Sequence, residues 1–368
     1  PFNIAWQANT SYSPITADLY KNGYLDLIVE TSPSTISIYN ANGMVINTLN
    51  PPNNTGLSGG TITYYEVDYM NSQPMIVVGV LDANGNNPTV VIYNGNGSIA
   101  KILSTGLPDT IQPHLVDLQG DGNYDVVVNF YDSYTGPRGI AVYSYSTGQH
   151  LWTYYTGPYI SDISFSDLLG NGQMDIVLST FAPCNGQTGN GTNDCTAYVI
   201  VLSPSGSVIW MHAMGQGEVH TRVAIVKLPG SSLPDVFFLV HSSDLVDSDG
   251  SNNITIFNGV TGATMYTYSG PNGDPWNSYT IVNNLNGSLS RVYVVGYNSG
   301  TIYEFSPTLN LIKTVVLQAP STEQEQTLVA ANLVKNGGTE LVYRTELSNG
   351  TNEVYVLNAT TLSTLWVK

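Results

Sequence analysis

Asp117, Asp121 and Asp125 fall four residues apart in Asp117-Leu118-Gln119-Gly120-Asp121-Gly122-Asn123-Tyr124-Asp125. Carboxylates gathered by a tight glycine turn are candidates for a metal site or for acid–base chemistry. The pattern returns. Asp18, Asn22 and Asp26 hold the same places in one stretch, and Asp167, Asn171 and Asp175 in another. Each closing Asp runs straight into an apolar segment: Val126-Val127-Val128, Leu27-Ile28-Val29 and Ile176-Val177-Leu178. A chemical motif that recurs in front of the same kind of strand is also a mark of period.

Anchored on this turn, the chain divides into seven units of about 40–55 residues. They lie near 15–54, 64–110, 112–159, 163–218, 220–274, 279–320 and 327–368, with 1–14 left as an extra N-terminal strand or closure segment. Each unit holds four short runs rich in Val, Ile, Tyr and Thr, parted by Gly, Asn, Pro and Ser. That is strand chemistry, and no window shows a helical apolar stripe. The expectation is an all-β fold, a seven-bladed β-propeller of four-stranded antiparallel blades forming a single domain. One such unit cannot bury both of its faces, so neighbours must stack. The turn is degraded elsewhere. Blade 2 reads Asp68-Tyr69-Met70-Asn71-Ser72-Gln73-Pro74, and blade 7 ends its version on Glu340. Phe2–Trp6 is expected to add to an edge, either of blade 7 or of a neighbouring molecule.

The turn and its strand resemble the FG-GAP/VCBS repeat of extracellular, integrin-like β-propellers. The likeness follows the period along nearly the whole chain and is close in residues for blades 1, 3 and 4. It implies Ca²⁺ bound in the hairpin between the first two strands, by Asp117, Gln119, Asp121 and Asp125 in blade 3. It implies the same, more weakly, for Asp18, Asn22 and Asp26 and for Asp167, Asn171 and Asp175. Tyr20 and Leu169 stand there where the family has a further carboxylate. The alternative is that these side chains cap their own turn amides without a metal. Asp244, Asp247 and Asp249, in a blade 5 insertion, are a separate acidic group that is either a Ca²⁺ site or a solvated loop.

Lys+Arg is 10 against Asp+Glu 27, a formal charge of −17. That argues against a nucleic-acid backbone or an anionic membrane as partner. No apolar run is long enough to span a bilayer. Cys184 and Cys195 lie close together in a Gly/Asn/Thr-rich loop and are expected to pair, which requires an oxidising compartment. The alternative is two free or metal-binding thiols. N-glycosylation acceptors occur at Asn9, Asn53, Asn96, Asn190, Asn253, Asn286, Asn349 and Asn358, in expected loops. A secreted or surface-displayed protein with its leader removed is the resulting expectation.

In a propeller the segments preceding first strands border the channel mouth. His114, Asp162, Glu218, His220, Arg222, Trp276 and Tyr279 are the candidate binding face. The bland reading of such residues is a polar, wet channel. The sequence carries no Gly-x-Ser-x-Gly elbow, no His-Glu-x-x-His and no phosphate loop. The expected function is non-catalytic: an adhesion, recognition or assembly module, such as an archaeal surface or pilus component, with an extracellular protein or glycan as partner. A polysaccharide-acting hydrolase or lyase is the rival, and carboxylates about 5–10 Å apart would favour it. A subunit that polymerises through its N-terminal strand is the third reading.

Overall fold

The computed structural model describes residues 14–368 except 54–55, 133, 218, 243–251, 318–325, 334–337 and 348–350. It is a seven-bladed β-propeller, each blade a four-stranded antiparallel sheet with its strands in sequence order. The innermost strands are Ile15–Ala17, Thr61–Met70, Thr110–Val116, Tyr159–Ser166, Val219–Val226, Trp276–Asn283 and Thr327–Ala331. In blades 2 to 6 they start one to four residues ahead of the sequence-based units, which brings Tyr159 and Trp276 into strands. Phe2–Trp6, read as an edge strand, lies outside the described residues.

The second and third strands explain why the blades stack. Val126, Val127 and Val128 are all fully buried, as are Val236 to Val240. A strand with both faces buried reads as a continuous apolar run, and its faces need two neighbours. Each junction between consecutive blades, from 1–2 to 6–7, accordingly holds its own apolar cluster. Fourth strands form the rim and alternate toward solvent, as Leu311–Val316 does.

Inner strands are sheet edges, so their outward backbone groups need partners. Side chains of the preceding blade supply them. Thr63 Oγ1 donates to Ile111 O at 3.1 Å, and the Leu115 N–H donates to Asp68 Oδ2 at 2.6 Å. The Leu328 and Ala330 N–H groups donate to Ser278 Oγ and Thr280 Oγ1 at 3.1 and 3.0 Å.

Antiparallel connectivity assigns the loops to two faces. The Asp-Gly turns, which join first to second strands, lie on one face. The connections from second to third strands lie on the other. Those include the blade 4 insertion, where Thr188–Gly189 pairs with Thr192–Asn193 and Cys184 is disulfide-bonded to Cys195. The described residues contain no helix long and apolar enough to cross a membrane.

Candidate functional site

The repeated turn is built by its own carboxylates. Asp117 Oδ1 and Oδ2 accept the N–H groups of Asp121 and Gly122 at 3.2 and 2.8 Å. Asp18 and Asp167 do the same for Asn22/Gly23 and Asn171/Gly172. The closing acid turns inward: Asp26, Asp125, Asp175 and Glu340 are buried. Asp26, Asp175 and Glu340 accept the N–H of Leu19, Leu168 and Leu333, and Asp125 that of Leu118. Burial, helped by the charges of Asp117 and Asp121, raises Asp125 to about 6.

Gln119 Oε1 accepts from Gln173 Nε2 of the next blade at 3.1 Å. Asp121 Oδ1 accepts the Asn123 N–H at 2.9 Å. Asp117 and Asp121 thus spend oxygens on their own turn, and Asp117, Asp121 and Asp125 are not among the described groups whose ligand atoms lie within 4.8 Å of one another. Asp244, Asp247, Asp249 and Glu218 lie outside the described residues, as do Asn9 and Asn349. Of the other acceptor asparagines, Asn53, Asn96, Asn190 and Asn286 are exposed. Asn253, expected in a loop, is half-buried in the strand Asn252–Phe257, because that strand begins one residue before it.

The binding-face residues divide. Trp276 is fully buried between blades 5 and 6, stacked on Tyr268 and set against Tyr303 and Phe305. It belongs to the core rather than the mouth, since the inner strand of blade 6 begins on it. Tyr279 packs on Phe237 and donates its hydroxyl to Val223 O at 3.0 Å, another tie between inner strands. His114, Asp162, His220 and Arg222 do converge, in two cavities that both reach Ser161 and Arg222.

The outer cavity, about 370 Å³, opens on the face of the disulfide loop and is lined by rings. Tyr131 closes the second strand of blade 3, while Tyr159 and Phe181 are cross-strand partners in blade 4. His220 and His241 are cross-strand partners in blade 5. The rings form one row. Tyr131 meets Tyr159 edge-on at 5.3 Å, and Tyr159 stacks on Phe181 at 6.1 Å. Phe181 stacks on His220 at 4.2 Å, and His220 on His241 at 5.4 Å. Burial, with the Arg222 charge, lowers His220 to about 4. Burial, with the charges of His220 and Arg222, lowers His241 to about 3. Both imidazoles are therefore neutral near pH 7.

Arg138 holds this mouth. Its guanidinium lies 3.9 Å from the Tyr159 ring centre and its Nη2 donates to Tyr134 O and Asn185 Oδ1. Asn185 stands in the disulfide loop, where its N–H and that of Gln187 both donate to Asp194 Oδ2. The loop is thus tied to the ring it borders.

The inner cavity, about 450 Å³, is polar. Tyr64, Glu66 and Asp68 project from one face of the inner strand of blade 2, at the two-residue period of a strand. His114 faces them from blade 3 and pairs through Nδ1 with Glu66 Oε1. Tyr64 donates to Glu66 Oε2 at 2.7 Å. Burial raises Asp68 to about 8, with the Glu66 charge adding to it, so one carboxyl is neutral and hydrogen-bonded to the other. Burial also pushes Glu66 up, but His114, Asp68 and Tyr64 outweigh it and hold the carboxylate below its ordinary value. Burial would lower His114, and the two acids outweigh that to raise it. Arg222 Nη1 donates to Asp162 Oδ1 at 3.3 Å where the two cavities meet.

Sequence reasoning missed Glu66, Tyr64 and the row Tyr131–Tyr159–Phe181, and read Asp68 as a turn residue. The blade 2 turn is only Asn71-Ser72, with φ of 51° and 60°, a two-residue hairpin that leaves Asp68 inside the strand opposite Met75. Alternation of Tyr64, Glu66 and Asp68 with Tyr65 and Val67 was the available signal.

No protein-family model and no curated protein matches the sequence. Solved structures match in shape. A structure of BBS1N in complex with ARL6DN has a TM-score of 0.55 at 15% identity, covering 99% of this chain and 98% of that one. The WD40 domain of Toxoplasma gondii coronin gives 0.55 at 10%, covering 93% and 81%. A Bacillus licheniformis rhamnogalacturonan lyase gives 0.54 at 13%, covering 92% and 70%. At such identities the likeness concerns the propeller fold alone.

Proposed function

We propose that this propeller is an extracellular glycan-recognition module that binds sugar across the ring row at its channel mouth. The observation that supports this is the row of contacting rings from Tyr131 through Tyr159 and Phe181 to His220, drawn from three blades and lining one cavity. A pyranose presents a face of C–H groups that suits such rings, and its hydroxyls suit the polar groups beside them. A cleft lined mostly by aromatics with a few fixed polar groups is the ordinary form of a small-ligand site. Arg222 and Asp162 supply those polar groups at the inner end. The disulfide supports an oxidising, extracellular setting.

Binding is preferred to cleavage for a geometric reason. Glu66 and Asp68 hydrogen-bond to each other, whereas the carboxyl groups of glycoside-cleaving pairs stand about 5–9.5 Å apart to admit a sugar or a water between them. A glycan array probed with the wild-type chain and with Tyr159→Ala tests the proposal. Selective binding that the substitution removes supports it. An empty array, or one unchanged by the substitution, defeats it.

A further inference from the structure

We propose that Glu66, Asp68 and His114 form a binding site for a divalent transition-metal ion of the zinc type, in the inner cavity that adjoins the sugar-binding mouth. Among the described residues they are the one group of three or more His, Cys, Asp or Glu side chains whose ligand atoms all lie within 4.8 Å of one another. A tetrahedral ion with ligands at about 2.0–2.2 Å separates neighbouring ligand atoms by roughly 3.3 Å, so little movement is needed to admit it.

The ligands are held from behind. Tyr64 donates to Glu66 Oε2 at 2.7 Å, and the Leu115 N–H donates to Asp68 Oδ2 at 2.6 Å. Each carboxylate is thereby fixed through one oxygen, and the ion takes the place of the protons that join Glu66 to His114 and to Asp68. The His114 ring is buried and sits between Tyr64 at 5.7 Å and Phe165 at 5.6 Å, which fixes its plane. Outer partners that orient ligands in this way are a regular part of metal sites. Two adjacent positions on one strand face and a third on the neighbouring inner strand leave the remaining side open to the 450 Å³ cavity, where water completes the coordination.

The donor set chooses the ion. One imidazole nitrogen and two carboxylates suit Zn²⁺, Co²⁺ or Ni²⁺, while Ca²⁺ asks for six to eight oxygens that these residues do not offer. An ordinary Glu–His ion pair with a neighbouring acid makes the same contacts but takes up no metal, and that difference is measurable.

The test is calorimetric titration of ZnCl₂ into the metal-stripped full chain, with excess CaCl₂ present to cover exposed acidic groups. The expected result is one ion per chain, at least tenfold weaker binding in Asp68→Asn and in Glu66→Gln, and loss in His114→Ala. Co²⁺ should give visible d–d absorption that the same variants lose. Tyr64→Phe, which removes only the outer hydrogen bond, should weaken binding several-fold. Circular dichroism reports folding, and if His114→Ala does not fold, the two isosteric carboxamides decide. No single-site uptake by the wild-type chain overturns the proposal, as does uptake equal in Asp68→Asn and Glu66→Gln. Glycan binding is read separately, and its failure leaves this result unaffected.

Discussion

The His220 imidazole lies 4.2 Å from the Phe181 ring, nearly parallel to it, and joins the blade 4 and blade 5 halves of the mouth. A ring in that position is useful while neutral. Its value is lowered to about 4 by burial first and by Arg222 second, and His241 behind it is lowered to about 3. An unfolded histidine takes its proton near pH 6.5, so below that pH the unfolded chain binds protons that the native ring refuses. The His220 contribution to stability is therefore lost as pH falls from about 6.5 toward about 4. Asp125, raised to about 6, acts in the opposite sense over an overlapping window and masks this in the wild type. The His220→Phe variant isolates it. Its melting temperature relative to wild type should rise steadily between pH 7 and pH 4; a difference independent of pH contradicts the assignment.

Consecutive Asp-Gly turns also support one another. A Cβ built on Gly120 would stand 1.9 Å from the Gly172 carbonyl oxygen of the next blade, at a φ of +68°. The Met174 N–H donates to Leu118 O at 2.9 Å in the same junction. Gly122 has a φ of +83° but nothing within 4 Å of its built Cβ. Gly120→Ala should thus cost well over 1 kcal/mol, and Gly122→Ala about 1 kcal/mol from backbone strain alone. Urea unfolding of both variants checks the order; equal losses would show that the turns do not pack on each other.

Trp276 should behave as core. Trp276→Ala is expected to lose about 3–5 kcal/mol, and Trp276→Phe less, by denaturant unfolding. Sugar affinity of the folded Trp276→Phe variant should match the wild type. A variant that unfolds normally but no longer binds would return Trp276 to the mouth.

The Cys184–Cys195 disulfide closes a loop with a sequence separation of 11. Replacing both cysteines by serine should lower stability by about 2–3 kcal/mol. Because Asn185 in that loop holds Arg138 over Tyr159, the same variant should bind sugar more weakly as well. Unchanged stability in urea would mean the loop is held by Asp194 and its hydrogen bonds alone.

The period and the strands were legible because both have local causes. Gly120 and Gly122 need positive φ, and Val126–Val128 need two buried faces, so each leaves its mark in consecutive residues. The site was legible only where a side chain stood out, as His114 and Arg222 did. Tyr159 and Phe181 read as ordinary strand aromatics, because what makes them a mouth is the stacking of His220 from another blade 39 positions beyond Phe181, a contact no short window contains. Asp68 misled for the opposite reason. Its resemblance to the turn acids was local, while its role is set by register opposite Met75 and by the Leu115 amide of the next blade.

The central claim rests on Phe181, which touches both halves of the ring row. Calorimetric titration of the strongest array sugar into the wild-type chain and into Phe181→Ala is the most direct measurement. At least a tenfold loss of affinity is expected, about 1.4 kcal/mol, with the folded fraction unchanged by circular dichroism. Equal affinity in the two proteins would contradict recognition at this mouth.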